Sequence, residues 1–223
     1  MEDYKTTIMK ITGIELLTDS LADTKNFYKN ILGLTADDKE ESIVFTIGRT
    51  KLTFRESESI NPIYHFAIDV PNNLFEASYE FIKSQIDIIP INSETEIADF
   101  VNWDAKSFYF YDNNGNILEF ITRYANKTID EAPFHSKSLI CISEIGIVTD
   151  DVPAYADELL KKFGTPIFHR QPAGEKFTVC GTDDGLFILV EKGREWYPVD
   201  IPAKPFPVKV TFTENGQSFV LES

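Results

Sequence analysis

The sequence predicts an α+β fold built from paired βαβββ units, the fourth of them truncated. Three observations carry this expectation: an order of elements that recurs along the chain, apolar residues that alternate with period two inside each strand, and a polar segment that separates the second copy from the third. In the first copy, residues 8–17 read as a strand. Ser20 or Asp23 can cap a helix that runs through Leu32, with Phe27, Tyr28, Ile31 and Leu32 as its apolar set, and Gly33 stops it. Strands at 43–47 and 51–55 follow, joined by Gly48-Arg49-Thr50.

The second copy has a strand at 63–70, a helix at 73–84 carrying Leu74, Ala77 and Phe81, a short strand at 86–91, and a hairpin of 107–112 with 116–122. The third runs from a strand at 139–149 through a helix at 153–163, ended by Gly164, to strands at 166–169, 176–181 and 185–191. A fourth begins at Pro207 and holds only a hairpin turning at Glu214-Asn215-Gly216-Gln217. Residues 125–137 are polar, contain a proline and read as a linker, so residues 1–125 are expected to form one complete two-unit domain and 138–223 a second, incomplete one.

Composition excludes several function classes. With 43% hydrophobic and 13% aromatic residues, 18 of them Phe, the chain is globular rather than disordered. A formal net charge of −15 argues against nucleic acid or an anionic membrane as partner, since both need a basic surface. No run of 18 apolar residues occurs, and the start at Met1 lacks a basic segment followed by an apolar one, so a cytoplasmic protein is expected. Cys141 and Cys180 are too few and too far apart for a disulfide framework or a zinc ribbon. Neither a phosphate-binding glycine loop nor a dinucleotide-binding fingerprint is present.

The chemistry concentrates in two strands. Glu119 lies among apolar neighbours in the hairpin of 108–121, and His65 sits the same way between Tyr64 and Phe66. A carboxylate in an apolar strand costs several kcal/mol unless it is paired, bound to a metal or facing a wet cavity. Alternation assigns Phe66, Ile68, Phe108, Phe110, Leu118 and Phe120 to the helix-covered face. It leaves His65, Asp69, Tyr109, Tyr111 and Glu119, with Glu15, Lys51 and Arg55 of the first copy, on the other. A face lined by opposite charges and tyrosines is read as a small-molecule site, the alternative being a merely solvated sheet.

The βαβββ repeat, Phe27-Tyr28 before Leu32-Gly33-Leu34, and the Tyr111-Asp-Asn-Asn-Gly-Asn-Ile-Leu-Glu119 hairpin resemble the vicinal oxygen chelate superfamily, which includes glyoxalase I, bleomycin-resistance proteins and extradiol dioxygenases. Residues 8–122 carry the resemblance well, 139–198 moderately and the last 25 weakly. It implies strands wrapped around a half-open cup with helices outside, and metal ligands at four equivalent strand positions, which map to Gly13, Lys51, His65 and Glu119. His65 and Glu119 suit a divalent metal (Zn, Fe, Mn or Ni), with Glu15 as a third ligand. The alternative is no metal, Lys51 pairing with Glu119 in its place. The corresponding positions of the third and fourth units are Glu144 and Lys209, and the other two histidines, His135 and His169, fall in loops, so a two-histidine iron triad is not visible.

Two functions therefore stand, beside a third possibility in which the cups are vestigial and the protein acts through assembly. One is a metal-dependent lyase, isomerase or ring-cleaving dioxygenase with Glu119 and Glu15 as catalytic carboxylates; Trp103, Tyr109, Tyr111, Arg55 and Lys51 would contact the substrate. The other is a metal-free binding protein of the bleomycin-resistance type, holding an aromatic or cationic ligand. Trp103 reads as a lid or a loop anchor, and Arg194 with Trp196 as an interdomain clamp or an anion site. The short fourth unit exposes a strand edge and apolar Phe206, Phe212 and Phe219, so a homodimer is expected.

Overall fold

A computed structural model describes residues 8–57 and 60–223. The first unit comprises β1 (Met9–Thr18), α1 (Leu21–Asn30), β2 (Ala36–Asp38), β3 (Ser42–Ile47) and β4 (Thr50–Glu56). The second comprises β5 (His65–Asp69), α2 (Phe75–Lys83), β6 (Ala98–Phe100), β7 (Ala105–Tyr111) and β8 (Ile117–Arg123). The third has β9 (Cys141–Thr149), α3 (Val152–Phe163), β10 (Phe177–Thr182) and β11 (Gly185–Glu191); the fourth is the hairpin of β12 (Lys209–Glu214) and β13 (Gln217–Glu222).

Local chemistry sets the helix ends. The Ser20 side chain accepts a hydrogen bond from the Asp23 N–H and starts α1, and Asp151 does the same for α3 through Ala154. Gly164 ends α3 at φ 76°, a left-handed conformation that suits glycine. The expected strand at 86–91 is instead irregular chain touching Tyr109 through one bridge at Ile89, and 166–169 likewise forms only the bridge of Ile167 to Cys180. The three-residue strands β2 and β6 were too short to leave a periodic signal.

Two sheets result, in the orders β13-β12-β1-β4-β3-β2 and β10-β11-β9-β5-β8-β7-β6. Within units one, two and three, the first strand lies parallel to the last. Between units the joints are antiparallel, β1 to β12 and β5 to β9. This corrects the expected pairing. The first unit shares its sheet with the fourth, and the second with the third, so the boundary at 125–138 runs between two halves of one sheet. The core is also continuous, since one cluster of buried side chains includes Tyr28 and Phe54 of unit one, Phe108 of unit two, Ile145 of unit three and Phe212 of unit four.

The sheets are held close by small residues and shared hydrogen bonds. Gly48, at φ 51°, turns β3 into β4 directly against unit three, where a Cβ would stand 1.8 Å from the Ile140 carbonyl oxygen. The Thr50 hydroxyl donates to the Ile11 carbonyl and accepts from the Ile142 N–H, joining one sheet to the other. The truncated fourth unit is covered within the chain. Phe163 of α3 packs edge-on against Phe212 and Phe219, each at 5.3 Å, and Phe206 meets Tyr64 at 6.1 Å. Of the apolar residues that motivated a dimer, Phe212 is buried and Phe206 and Phe219 are half-buried by contacts within the chain.

Candidate functional site

The turn between β7 and β8 sets the register of the site. Asp112 accepts from the backbone N–H groups of Asn114 and Asn116 and from the Tyr28 hydroxyl at 2.9 Å. Gly115 supplies the left-handed residue at φ 79°. The Asn116 side chain in turn accepts from the Tyr64 N–H, tying the start of β5 to the hairpin. Three tight-turn asparagines and a buried aspartate thereby place His65 beside Ile117, two residues from Glu119 on the same face.

His65 is held in one tautomer. Its Nδ1 lies 3.0 Å from the Ile117 carbonyl oxygen, which can only accept, so Nδ1 carries the proton. Burial lowers its pKa to about 4 even though that hydrogen bond works the other way, and the ring is neutral at pH 7. Nε2 therefore presents a lone pair toward Glu119, with Nε2 to Oε2 at 3.6 Å. A backbone carbonyl fixing one nitrogen while the other faces a cavity is the arrangement of a metal-ligating histidine.

Glu144 of β9 completes the group. Ligand atoms of His65, Glu119 and Glu144 all lie within 4.8 Å of one another, and the three residues are 6%, 3% and 3% exposed. Burial, then the adjacent Glu144 carboxylate, push the Glu119 pKa well above the carboxylate range. Burial likewise raises Glu144 to about 7, against the pull of Arg123. Arg123 is buried behind them, donating to Asp69, Glu144 and the Ser143 hydroxyl, while Ser143 donates to Asp69 at 2.6 Å. Burial opposes the Arg123 charge, but Asp69, Glu144 and Glu119 outweigh it, so the guanidinium stays protonated.

The group lies at the base of a cavity of about 230 Å³ between units two and three. Tyr109 and Trp103 form one wall. Trp196, from the segment after β11, packs against His65 at a ring separation of 5.4 Å and forms the other. Gly146 makes that possible, since a Cβ there would stand 2.4 Å from the indole. Trp103 Nε1 donates to Gln171 at 3.2 Å, which ties the lid segment to unit three.

Of the residues expected at the site, the structure brings together His65, Glu119, Trp103 and Tyr109. The others lie elsewhere. Glu15, Lys51 and Arg55 belong to the other sheet, where Glu15 pairs with Arg55 at 2.9 Å and Lys51 is exposed beside Gly13 and Lys209. Tyr111 is 38% exposed, beyond the cavity. The cause is the unit pairing: the cup that holds His65 is completed by unit three, so the third residue of the group is Glu144 rather than Glu15, and the Lys51–Glu119 pair does not form. His135 and His169 are both exposed, as expected of loop residues. Trp196 is part of the pocket wall. Its signal was visible in the sequence, but only tertiary contact distinguishes a wall from a clamp.

Paired βαβββ units forming curled sheets, with a His-Glu-Glu group at the base of one cup, define a protein of the vicinal oxygen chelate architecture. The sequence profile of the Glyoxalase/Bleomycin resistance protein/Dioxygenase superfamily matches residues 10–190, and the chain belongs to that superfamily. Among solved structures, a Bacillus subtilis subsp. subtilis str. 168 protein provisionally named a dioxygenase is similar over 96% of this chain and 85% of its own, with 15% identity and a TM-score of 0.60. A variant of glyoxalase I from Zea mays is similar over 95% of this chain and 76% of its own, with 15% identity and a TM-score of 0.53. At these identities the likeness is one of fold. No curated protein sequence matches significantly.

Proposed function

We propose that the protein is a metal-dependent enzyme acting on a small oxygen-bearing molecule, with one divalent cation held by His65, Glu119 and Glu144. The observation that supports this best is the charge of the buried group. Asp69, Glu119 and Glu144 contribute three negative charges when ionised and Arg123 one positive, and all four are buried. A net charge of about −2 in an interior is costly, and without compensation the carboxyls take up protons, as the raised pKa values of Glu119 and Glu144 express. One divalent cation brings the sum to zero. One imidazole and two carboxylates suit Mn, Fe, Zn or Ni better than Cu(I), which prefers sulfur.

A divalent cation bound there would polarise substrate oxygens and lower the pKa of a bound water. The chain's own residues supply the rest. Glu144 is oriented by Arg123, whereas Glu119 lines the cavity without an arginine partner and is the carboxyl better placed to hold or pass a proton. Tyr109 is buried against His65, with ring centres 6.3 Å apart, and Trp103 and Trp196 exclude water from the base of the cavity. The reaction class within the superfamily, whether isomerase, lyase or dioxygenase, follows from the substrate and not from the fold.

The test is metal analysis of protein purified without chelator, followed by titration of the stripped protein with Mn²⁺, Zn²⁺, Ni²⁺ and Fe²⁺ at pH 8. One equivalent per chain in wild type, lost in Glu119→Gln and in Glu144→Gln, is expected. Absence of binding by all four metals would replace this reading with the metal-free binding protein.

A further inference from the structure

The cavity of the proposed site has an apolar body and one cation at its opening, and we infer that its ligand is a planar, aromatic-sized acid whose carboxylate is read by Arg194. This rests on the assignment of the cavity as the functional site, and it adds a ligand class to that reading.

The walls are flat and aromatic. Trp103, Tyr109, Phe177 and Trp196 line the cavity together with Ile188 and Val190. Rings within such walls are favoured by stacking and edge contacts beyond the area they bury. Two of the charged residues lining the cavity, Glu119 and Glu144, sit at its base, where Glu144 already accepts from Arg123. The remaining charge is Arg194.

Arg194 is set up to recognise rather than to stabilise. Its guanidinium carbon lies over the Phe177 ring, 4.8 Å from the centroid, a contact that holds the group in place without using up its hydrogen-bond donors. Its one hydrogen bond is from an NH group to the Glu195 carbonyl at 3.3 Å, and among the described residues it forms no ion pair. A half-buried, pre-oriented fork with a free edge at the rim of an apolar cavity matches a carboxylate in bidentate geometry. The chain's net charge of −15 disfavours anions elsewhere, so this cation is a local exception that would select an acid over a neutral analogue of the same shape.

The experiment compares trans-cinnamate with cinnamamide, which share shape and planarity and differ in charge, by calorimetric titration of metal-free and Mn²⁺-loaded full-length protein. At least a tenfold preference for the acid is expected in both forms. Arg194→Gln should bring the two affinities within about twofold, chiefly by weakening the acid, while Arg194→Lys keeps part of the preference because it keeps the charge. Equal affinity for acid and amide in wild type, or no binding of either, overturns the inference. So does a preference that survives Arg194→Gln, since the carboxylate would then be read at the base. Mn²⁺ binding is scored separately. Acid discrimination by a protein that binds no metal would leave Arg194 in its role and remove the metal, and metal binding without discrimination would do the reverse.

Discussion

Glu119 and Ile188 occupy equivalent places in the two halves of one cup. Ala67, two residues after His65, pairs with Glu119; Gly146, two residues after Glu144, pairs with Ile188. The second and third units thus offer four matching positions at the base, three bearing the His65, Glu119 and Glu144 side chains and the fourth an isoleucine. An apolar fourth position caps the donors available to the proposed cation at three, so a cation held there would keep open coordination positions.

Replacing that isoleucine is the most direct check on the symmetry. Ile188→His places an imidazole opposite Glu119 and is expected to tighten Mn²⁺ or Zn²⁺ binding by tenfold or more while lowering turnover, because an open position is lost. Calorimetric titration of the variant decides it; unchanged affinity would show that Ile188 does not face the bound ion.

Metal binding should release protons. Burial raises Glu144 to about 7 and lifts Glu119 well above the carboxylate range, so below neutral pH both bind protons in the metal-free protein and must lose them to bind a cation. Affinity is therefore expected to rise with pH through the neutral range and to level off above it. Titrations in buffers of different ionisation enthalpy report the number directly, and a buffer-independent heat at pH 6.5 would contradict the assignment of these two carboxyls.

Arg123 holds the buried charges together. Arg123→Leu leaves Asp69 and Glu144 without their cation, and breaking a buried pair of this kind costs about 3–5 kcal/mol. Urea unfolding should show that loss in the metal-free protein, with part of it recovered on adding metal, since the cation supplies positive charge to the same group. Full stability in the variant at pH 8, where Glu144 is ionised, would mean that Arg123 does not compensate these carboxylates.

Glu214 makes a separate, pH-dependent contribution. It is 1% exposed, neither carboxylate oxygen has a hydrogen-bond partner among the described residues, and burial lifts its pKa to about 7. A raised carboxyl pKa means that the native state binds the proton more tightly than the unfolded chain. Its stabilisation is present below the unfolded value near 4.5 and is lost as pH rises through 7. Glu214→Gln should gain on wild type by on the order of 1 kcal/mol between pH 5 and pH 8. Parallel melting curves at both pH values for the two proteins would remove the group from the pH dependence.

Unit pairing predicts the behaviour of fragments. Residues 1–126 retain β1 and β5 but lose β12 and β9, the strands that pair with them. Two sheet edges and the shared core are then exposed, so this fragment is expected to aggregate or to give a weak near-UV circular dichroism signal. A soluble fragment with a cooperative unfolding transition would restore the two-domain division.

Most of the secondary structure and the sidedness of every long strand are properties of the sequence itself. Ser20, Asp151 and Gly164 mark helix ends through hydrogen bonds and backbone freedom that act within a few residues, and period-two alternation puts His65 and Glu119 on the face opposite Phe66 and Phe120 whatever lies beside them. The superfamily, too, was readable from the repeat and the hairpin. Tertiary structure alone decided which unit stands next to which. Alternation tells a strand which face to turn inward, but β1, β5, β9 and β12 all offer a similar free edge, and the backbone hydrogen bonds that join edges carry no side-chain identity. That choice moved Glu15, Lys51 and Arg55 away from His65 and brought Glu144 and Trp196 to it. The site therefore depends on contacts between residues about 80 positions apart, which no local pattern in the chain encodes.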